Sequence, residues 1–198
     1  MFRGIFLVSS LSAISTLIGV FLAFKLTKNK KATIFSFGFS AAVIIFLSFF
    51  DLLLKPLEYA EALLVFSFFI SGGILIFFLD SWLPHFHTFA DNKKGHFLQV
   101  SYLIALGLII HDFPEGFSIA TSYILEKNWG ILVGLLVALH NVPEEFIIAL
   151  PLIAGKKFKP LIIIAILSAL AEPIGAIVGI VIVKTFHNDL APLFTAFA

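Results

Sequence analysis

The 198-residue chain has no cysteine. That excludes disulfides, thiolate metal sites and cysteine nucleophiles. Charge is also scarce. Only 13% of residues are Asp, Glu, Lys or Arg, about half the ~25% of soluble domains. The formal net charge is +1, which leaves no basic field for nucleic-acid phosphates. What the chain has in abundance is apolar side chains, at 60% of residues, with a mean hydropathy of +1.09. That balance excludes a disordered chain and a water-soluble globule, and points to a membrane protein. Any charge inside the apolar runs then demands a reason.

A transmembrane helix needs ~20 mostly apolar residues. Six runs meet or approach that length: about 4–24, 32–54, 61–83, 97–125, 129–154 and 161–184. They are too long for strands and lack the alternation of a barrel. The expected fold is all-α, a polytopic transmembrane helical bundle forming a single domain over residues 1–198. The first run is longer than a signal-peptide core of ~7–15 residues, and no A-x-A site ends it, so it reads as a retained helix. The stretch APLFTAFA at 191–198 opens a further apolar run. Lysine and arginine set the orientation. One side holds Arg3, Lys55, Lys127 and Lys184; the other holds Lys25, Lys28, Lys30, Lys31, Lys93, Lys94, Lys156, Lys157 and Lys159. The richer side is expected to be cytoplasmic. The N-terminus is then outside, and the segment 84–96, with His85, His87, His96 and Asp91, is cytoplasmic.

Depth singles out three runs. The fourth is centred on His111, the fifth near Asn141, and the sixth on Glu172. Five carboxylates therefore lie at mid-bilayer: Asp112, Glu115, Glu144, Glu145 and Glu172. Each costs roughly 2.5–3.5 kcal/mol on the insertion scale, on the order of 10 kcal/mol in total if nothing compensates them. No lysine or arginine lies at that depth, so the counterions are protons, bound cations or water. The fourth and fifth runs repeat a motif 29 residues apart, HDFPEG at 111–116 and HNVPEE at 140–145. Histidine and glutamate at i and i+4 share a helix face. The Asp112 or Asn141 side chain lies about 100° round. The intervening proline removes a backbone hydrogen bond, which is tolerated at membrane depth only in protein or beside a cavity. The two runs are consecutive and antiparallel, so the wedges can face each other, an arrangement suited to one or two divalent cations bridged by Glu115 and Glu144. Small residues along the sixth run, Ala165, Ser168, Ala169, Gly175, Ala176 and Gly179, allow the close packing that would add Glu172. Imidazole, carboxylate and amide without thiolate suit Zn²⁺, Fe²⁺, Mn²⁺ or Co²⁺ rather than Cu⁺, Ca²⁺ or Mg²⁺.

On HDFPEG at 111–116, HNVPEE at 140–145, SALAEPIGA at 168–176 and DSWLPHFH at 80–87, the sequence resembles the ZIP (Zrt/Irt-like) metal transporter family, close to its bacterial zinc-uptake (ZupT-like) branch. The resemblance implies uptake of divalent metal into the cytoplasm, zinc foremost and also iron, manganese, cobalt or cadmium, with no prosthetic group and no enzymatic activity. It implies a binuclear site. One metal takes His111, Glu115, His140 and Glu144; the other takes Asp112, Glu115, Asn141, Glu144 and Glu172. Position 112 is Asp where the family usually has Asn, and position 145 is Glu where it usually has Gly. The family has eight spans, so the chain is expected to lack the last two helices. The expected partners are divalent cations and the lipid bilayer of the cell (inner) membrane, no nucleic acid, and a homodimer as the assembly to test.

Other residues carry two readings. Glu145 is either an extra ligand or a protonated structural group. Asp51 is by default an interfacial partner of Lys55 at i+4; the sharper reading makes it an outer entrance residue. Asp80, His85 and His87 either receive outgoing metal or belong to a solvated loop. Ser9, Ser12, Thr16 and Gly19 read as a helix-packing face. The 25 phenylalanines read as lipid-facing or packing material. Two other functional classes fit the same cluster: an intramembrane di-metal enzyme, an oxidase or hydrolase, and a non-transporting metal-binding remnant.

Overall fold

The computed structural model describes residues 2–82 and 93–198, without the side chains of 80, 82, 93–106, 108, 109 and 188. His85, His87 and Asp91 lie outside the described residues, as do the side chains of Asp80 and His96.

Seven α-helices and no strand occur among the described residues. They are α1 (Phe2–Leu26), α2 (Lys30–Phe46), α3 (Ala62–Trp82), α4 (Lys93–Leu125), α5 (Lys127–Ala154), α6 (Phe158–Phe186) and α7 (Ala191–Phe197). Five helical segments among the described residues are long and apolar enough to cross a membrane: Phe2–Leu26, Lys30–Glu58, Ala62–Leu79, Lys127–Ala154 and Phe158–Phe186. The protein is a helical membrane bundle. Its outer faces are greasy, as at Ile34, Phe35, Leu63 and Phe77, because lipid rather than water is the solvent there.

The segment Lys30–Glu58 is not uniformly α-helical. Asn29 caps its start, its side chain accepting from Lys31 N at 3.1 Å and Ala32 N at 3.2 Å, as a short polar side chain does at an N-cap. From Leu47 to Leu54 the helix widens into a π-helix, then tightens into a 3₁₀ turn over Lys55–Glu58. Pro56 supplies no N–H to the preceding turn, and the chain absorbs this mismatch by changing pitch. The default expectation for Asp51 and Lys55 is thereby corrected. In a π-helix the bonded partner is five residues away, not four, so the two side chains no longer stack. Asp51 is buried, with Oδ2 lacking a hydrogen-bond partner. Lys55 instead pairs with Glu58 at 2.7 Å and reaches Glu126 at 3.6 Å.

Helices α1, α4, α5 and α6 pack on one another; α2 rests on α5, and α7 rests on α3 and α4. Apolar clusters flank the polar middle of this bundle. Ala23, Phe146, Ala149, Leu152 and Leu161 fill the end near the α5–α6 turn. Ile5, Ala120, Tyr123, Ala176 and Ile180 fill the opposite end, beside Val8, Leu47, Ile119, Val133 and Val137. Two glycines bring α4 and α6 into backbone contact at mid-height. A Cβ on Gly116 would fall 1.9 Å from the carbonyl oxygen of Glu172, and one on Gly175 would fall 2.1 Å from that of Phe113. Only glycine permits this approach. It sets Glu172 against the Asp112–Glu115 turn.

Candidate metal centre

Each helix that carries mid-membrane carboxylates has a proline in its middle: Pro114 in α4, Pro143 in α5 and Pro173 in α6. Each proline leaves a carbonyl four residues earlier without its usual N–H, so the backbone here is itself polar. Ser40 of α2 donates to the nearby carbonyl of His140 at 3.3 Å.

Two groups of ligand atoms converge. His111, His140 and Glu144 form one; Asp112, Glu115 and Glu172 form the other, and within each the ligand atoms lie within 4.8 Å of one another. Glu115 ties them together. Its Oε1 lies 2.9 Å from His140 Nε2 and 3.0 Å from His111 Nε2. Glu144 Oε2 lies 3.6 Å from His140 Nε2. His140 Nδ1 faces the Leu136 carbonyl at 3.1 Å, so that nitrogen carries a proton and the ring is oriented from behind. Nε2 then turns toward the carboxylates. In the neutral ring it offers them a lone pair, a mismatch that a cation relieves.

Unmatched acceptors crowd this region. Glu115 Oε2, Glu144 Oε2, Glu172 Oε2 and Asn141 Oδ1 are buried without a hydrogen-bond partner. Buried polar atoms are ordinarily satisfied, and several unmatched acceptors in one place are the donor set of a hard or borderline cation. Asn141 Nδ2 donates to Ser12 Oγ at 2.7 Å and to Glu172 Oε1. Ser168 Oγ bonds both Asp112 Oδ2 and Glu145 Oε1.

The structure thus brings together His111, Asp112, Glu115, His140, Asn141, Glu144 and Glu172, with Glu145 joined to Asp112 through Ser168. Asp51 is not in either ligand group. Sequence reasoning missed the hydroxyls. Ser12 read as packing material and Ser168 as one more small residue, yet Ser12 bonds Asn141 and Ser168 bonds Asp112 and Glu145. A signal was available, since both are polar residues at the depth of the charges. A cavity of about 90 Å³ adjoins the cluster, lined by His111 and Glu115 together with Ser48, Leu52, Val133 and Val137. A larger cavity of about 490 Å³, between α3, α4, α6 and α7, is apolar and contains none of the ligand atoms.

A family model described as ZIP zinc transporter matches residues 90–197, more than half of the chain and all three helices with a proline in their middle. The chain belongs to the ZIP zinc transporter family. It is 34% identical to the zinc transporter ZupT of Oceanobacillus iheyensis, over 93% of this chain and 78% of that protein. It is 32% identical to the zinc transporter ZupT of Streptococcus mutans, over 98% of this chain and 81% of that protein. With that of Clostridium perfringens the identity is 29%, over 93% and 77%. As a ZIP member the chain is a divalent-metal transporter of multi-pass membrane type, and the intramembrane-enzyme reading is set aside.

Proposed function

We propose that this chain takes up Zn²⁺ into the cytoplasm through a binuclear site at mid-membrane. The observation that carries this reading is Glu115, whose Oε1 stands within 3.0 Å of both His111 Nε2 and His140 Nε2 while the residue also belongs to the Asp112–Glu172 group. A carboxylate shared in this way bridges two cations. One site takes His111, His140, Glu115 and Glu144. The other takes Asp112, Glu115, Asn141, Glu144 and Glu172. The first offers imidazole nitrogen, which favours zinc over the hard alkaline-earth ions. The second is all oxygen. Fe²⁺, Mn²⁺, Co²⁺ and Cd²⁺ compete for the same donors.

The cargo enters from the side bearing Lys55 and Glu126. The cavity lined by Ser48, Leu52, Val133 and Val137 reaches His111 and Glu115 and forms the inner part of this path, and Asp51, buried with a free oxygen on the same π-helical segment as Ser48, supplies a buried anion beside it. Metal displaces the protons of the cluster as it binds. It is released toward the lysine-rich side, with segment 84–96, as α1, α4, α5 and α6 move together against the remaining helices in alternating access. The chain resides in the cell (inner) membrane with its N-terminus outside.

The test is zinc uptake into proteoliposomes carrying the full chain. Glu115→Ala and His111→Ala should each abolish uptake while remaining helical. Wild-type rates in both variants would sink the site assignment.

A further inference from the structure

Ser12 is wholly buried on α1, against α5 and α6. Its surroundings give its hydroxyl a specific task. Asn141 Nδ2 donates to Ser12 Oγ at 2.7 Å. A hydroxyl has one proton and two lone pairs. One lone pair of Ser12 Oγ takes an amide proton of Asn141. Asn141 Nδ2 spends its second proton on Glu172 Oε1, so both amide protons are engaged. An amide oxygen turned that way would set two acceptors against each other. The amide orientation is thereby determined, and Asn141 Oδ1, which is buried and makes no hydrogen bond, faces away from both partners of the nitrogen. Glu172 Oε2 is likewise left unpaired.

We infer that Ser12 is a positioning residue for the all-oxygen site: by engaging the amide nitrogen of Asn141, it presents the amide oxygen to the cation. The inference rests on the binuclear reading above and extends it to α1, which contributes no ligand of its own. Without the hydroxyl, the Asn141 amide loses one of its two anchors, and its nitrogen, a donor that repels a cation, competes with its oxygen for the same position.

Zinc titration of the full chain in lipid nanodiscs, followed calorimetrically, counts and ranks the two sites. Ser12→Ala should weaken the all-oxygen site about 10- to 100-fold, the usual effect of losing a ligand's hydrogen-bond partner. The imidazole site should be unchanged, and the metal-free protein should melt as wild type does. Asn141→Ala should weaken the same site, and adding Ser12→Ala to it should have no further effect, because Ser12 acts through the amide. The inference is overturned if Ser12→Ala binds zinc as wild type does, if the two effects multiply in the double variant, or if both sites weaken together with a lower melting temperature. Glu172→Ala separates the two levels. If Glu172→Ala and Asn141→Ala are weakened while Ser12→Ala is not, only the role of Ser12 fails. If all three bind as wild type does, the all-oxygen site fails with it.

Discussion

Glu115 on α4 and His140 on α5 meet across the helix interface, Oε1 to Nε2, at 2.9 Å. The imidazole is oriented from its other nitrogen by the Leu136 carbonyl. The carboxylate keeps Oε2 buried and without a hydrogen bond. Such a pair is a costly structural element on its own, because an unmet buried acceptor costs about 1–3 kcal/mol. It becomes favourable when a cation supplies the missing partner.

Zinc should therefore stabilise the protein. At one hundred times its dissociation constant, a ligand bound only by the folded form contributes about 2.7 kcal/mol. The melting temperature of the full chain in detergent should rise with zinc and fall back on adding a chelator. Histidine and carboxylate ligands must lose their protons to bind metal, so the zinc-dependent rise should shrink as the pH falls and the imidazoles protonate. Glu115→Gln should reduce the rise at every pH. A rise that is independent of pH, or equal in Glu115→Gln, would contradict the assignment.

The contact between α4 and α6 can be tested without touching a ligand. A Cβ on Gly116 would fall 1.9 Å from Glu172 O, whereas one on Gly38 meets nothing within 4 Å. Gly116→Ala should destabilise the metal-free protein by about 1–3 kcal/mol, as overpacking does. It should also weaken zinc binding, since separating the helices draws Glu172 away from Asp112 and Glu115. Gly38→Ala should be neutral, or more stable by about 0.5–1 kcal/mol, because alanine orders a helix interior better than glycine. Equal melting of the two variants would refute the close-contact argument.

Much of this organisation was legible in the chain. Apolar runs too long for strands read as helices. The repeat of His111-x-x-x-Glu115 in His140-x-x-x-Glu144 placed both pairs on facing sides of antiparallel neighbours. Local spacing carried that information. It did not carry the π-helical turn, which depends on how the chain upstream of Pro56 relaxes, and which turned Asp51 inward and away from Lys55. Nor did it carry the role of Ser12, whose partner Asn141 is 129 residues distant. Serine in an apolar helix signals close packing as readily as hydrogen bonding, and only the tertiary contact decides between them.

The absence of cysteine makes orientation simple to test, since any introduced thiol is the sole one. Lys28, in the turn after α1, and Lys127, at the start of α5, are both exposed. In intact cells or spheroplasts, Lys127→Cys should react with a membrane-impermeant maleimide, and Lys28→Cys should react only after the membrane is opened. The reverse pattern would invert the direction assigned to transport.

The entry route makes a different demand from the site, since rate and affinity should separate. Ser48 lies on the π-helical segment and lines the cavity that reaches His111 and Glu115, but it belongs to neither ligand group. Ser48→Phe should fill part of that about 90 Å³ space and slow zinc uptake into proteoliposomes several-fold at every zinc concentration. Equilibrium zinc binding should stay as in wild type, because the ring displaces no ligand. Asp51→Asn acts on the same π-helical segment through charge. It removes a buried anion whose Oδ2 has no partner, so it should leave the melting temperature unchanged or raised while slowing uptake most at low zinc, where capture limits the rate. Lys55→Ala should leave the melting temperature unchanged, since its ion pairs are at the surface. Should Ser48→Phe weaken zinc binding as much as it slows uptake, the cavity would be part of the site rather than the path to it.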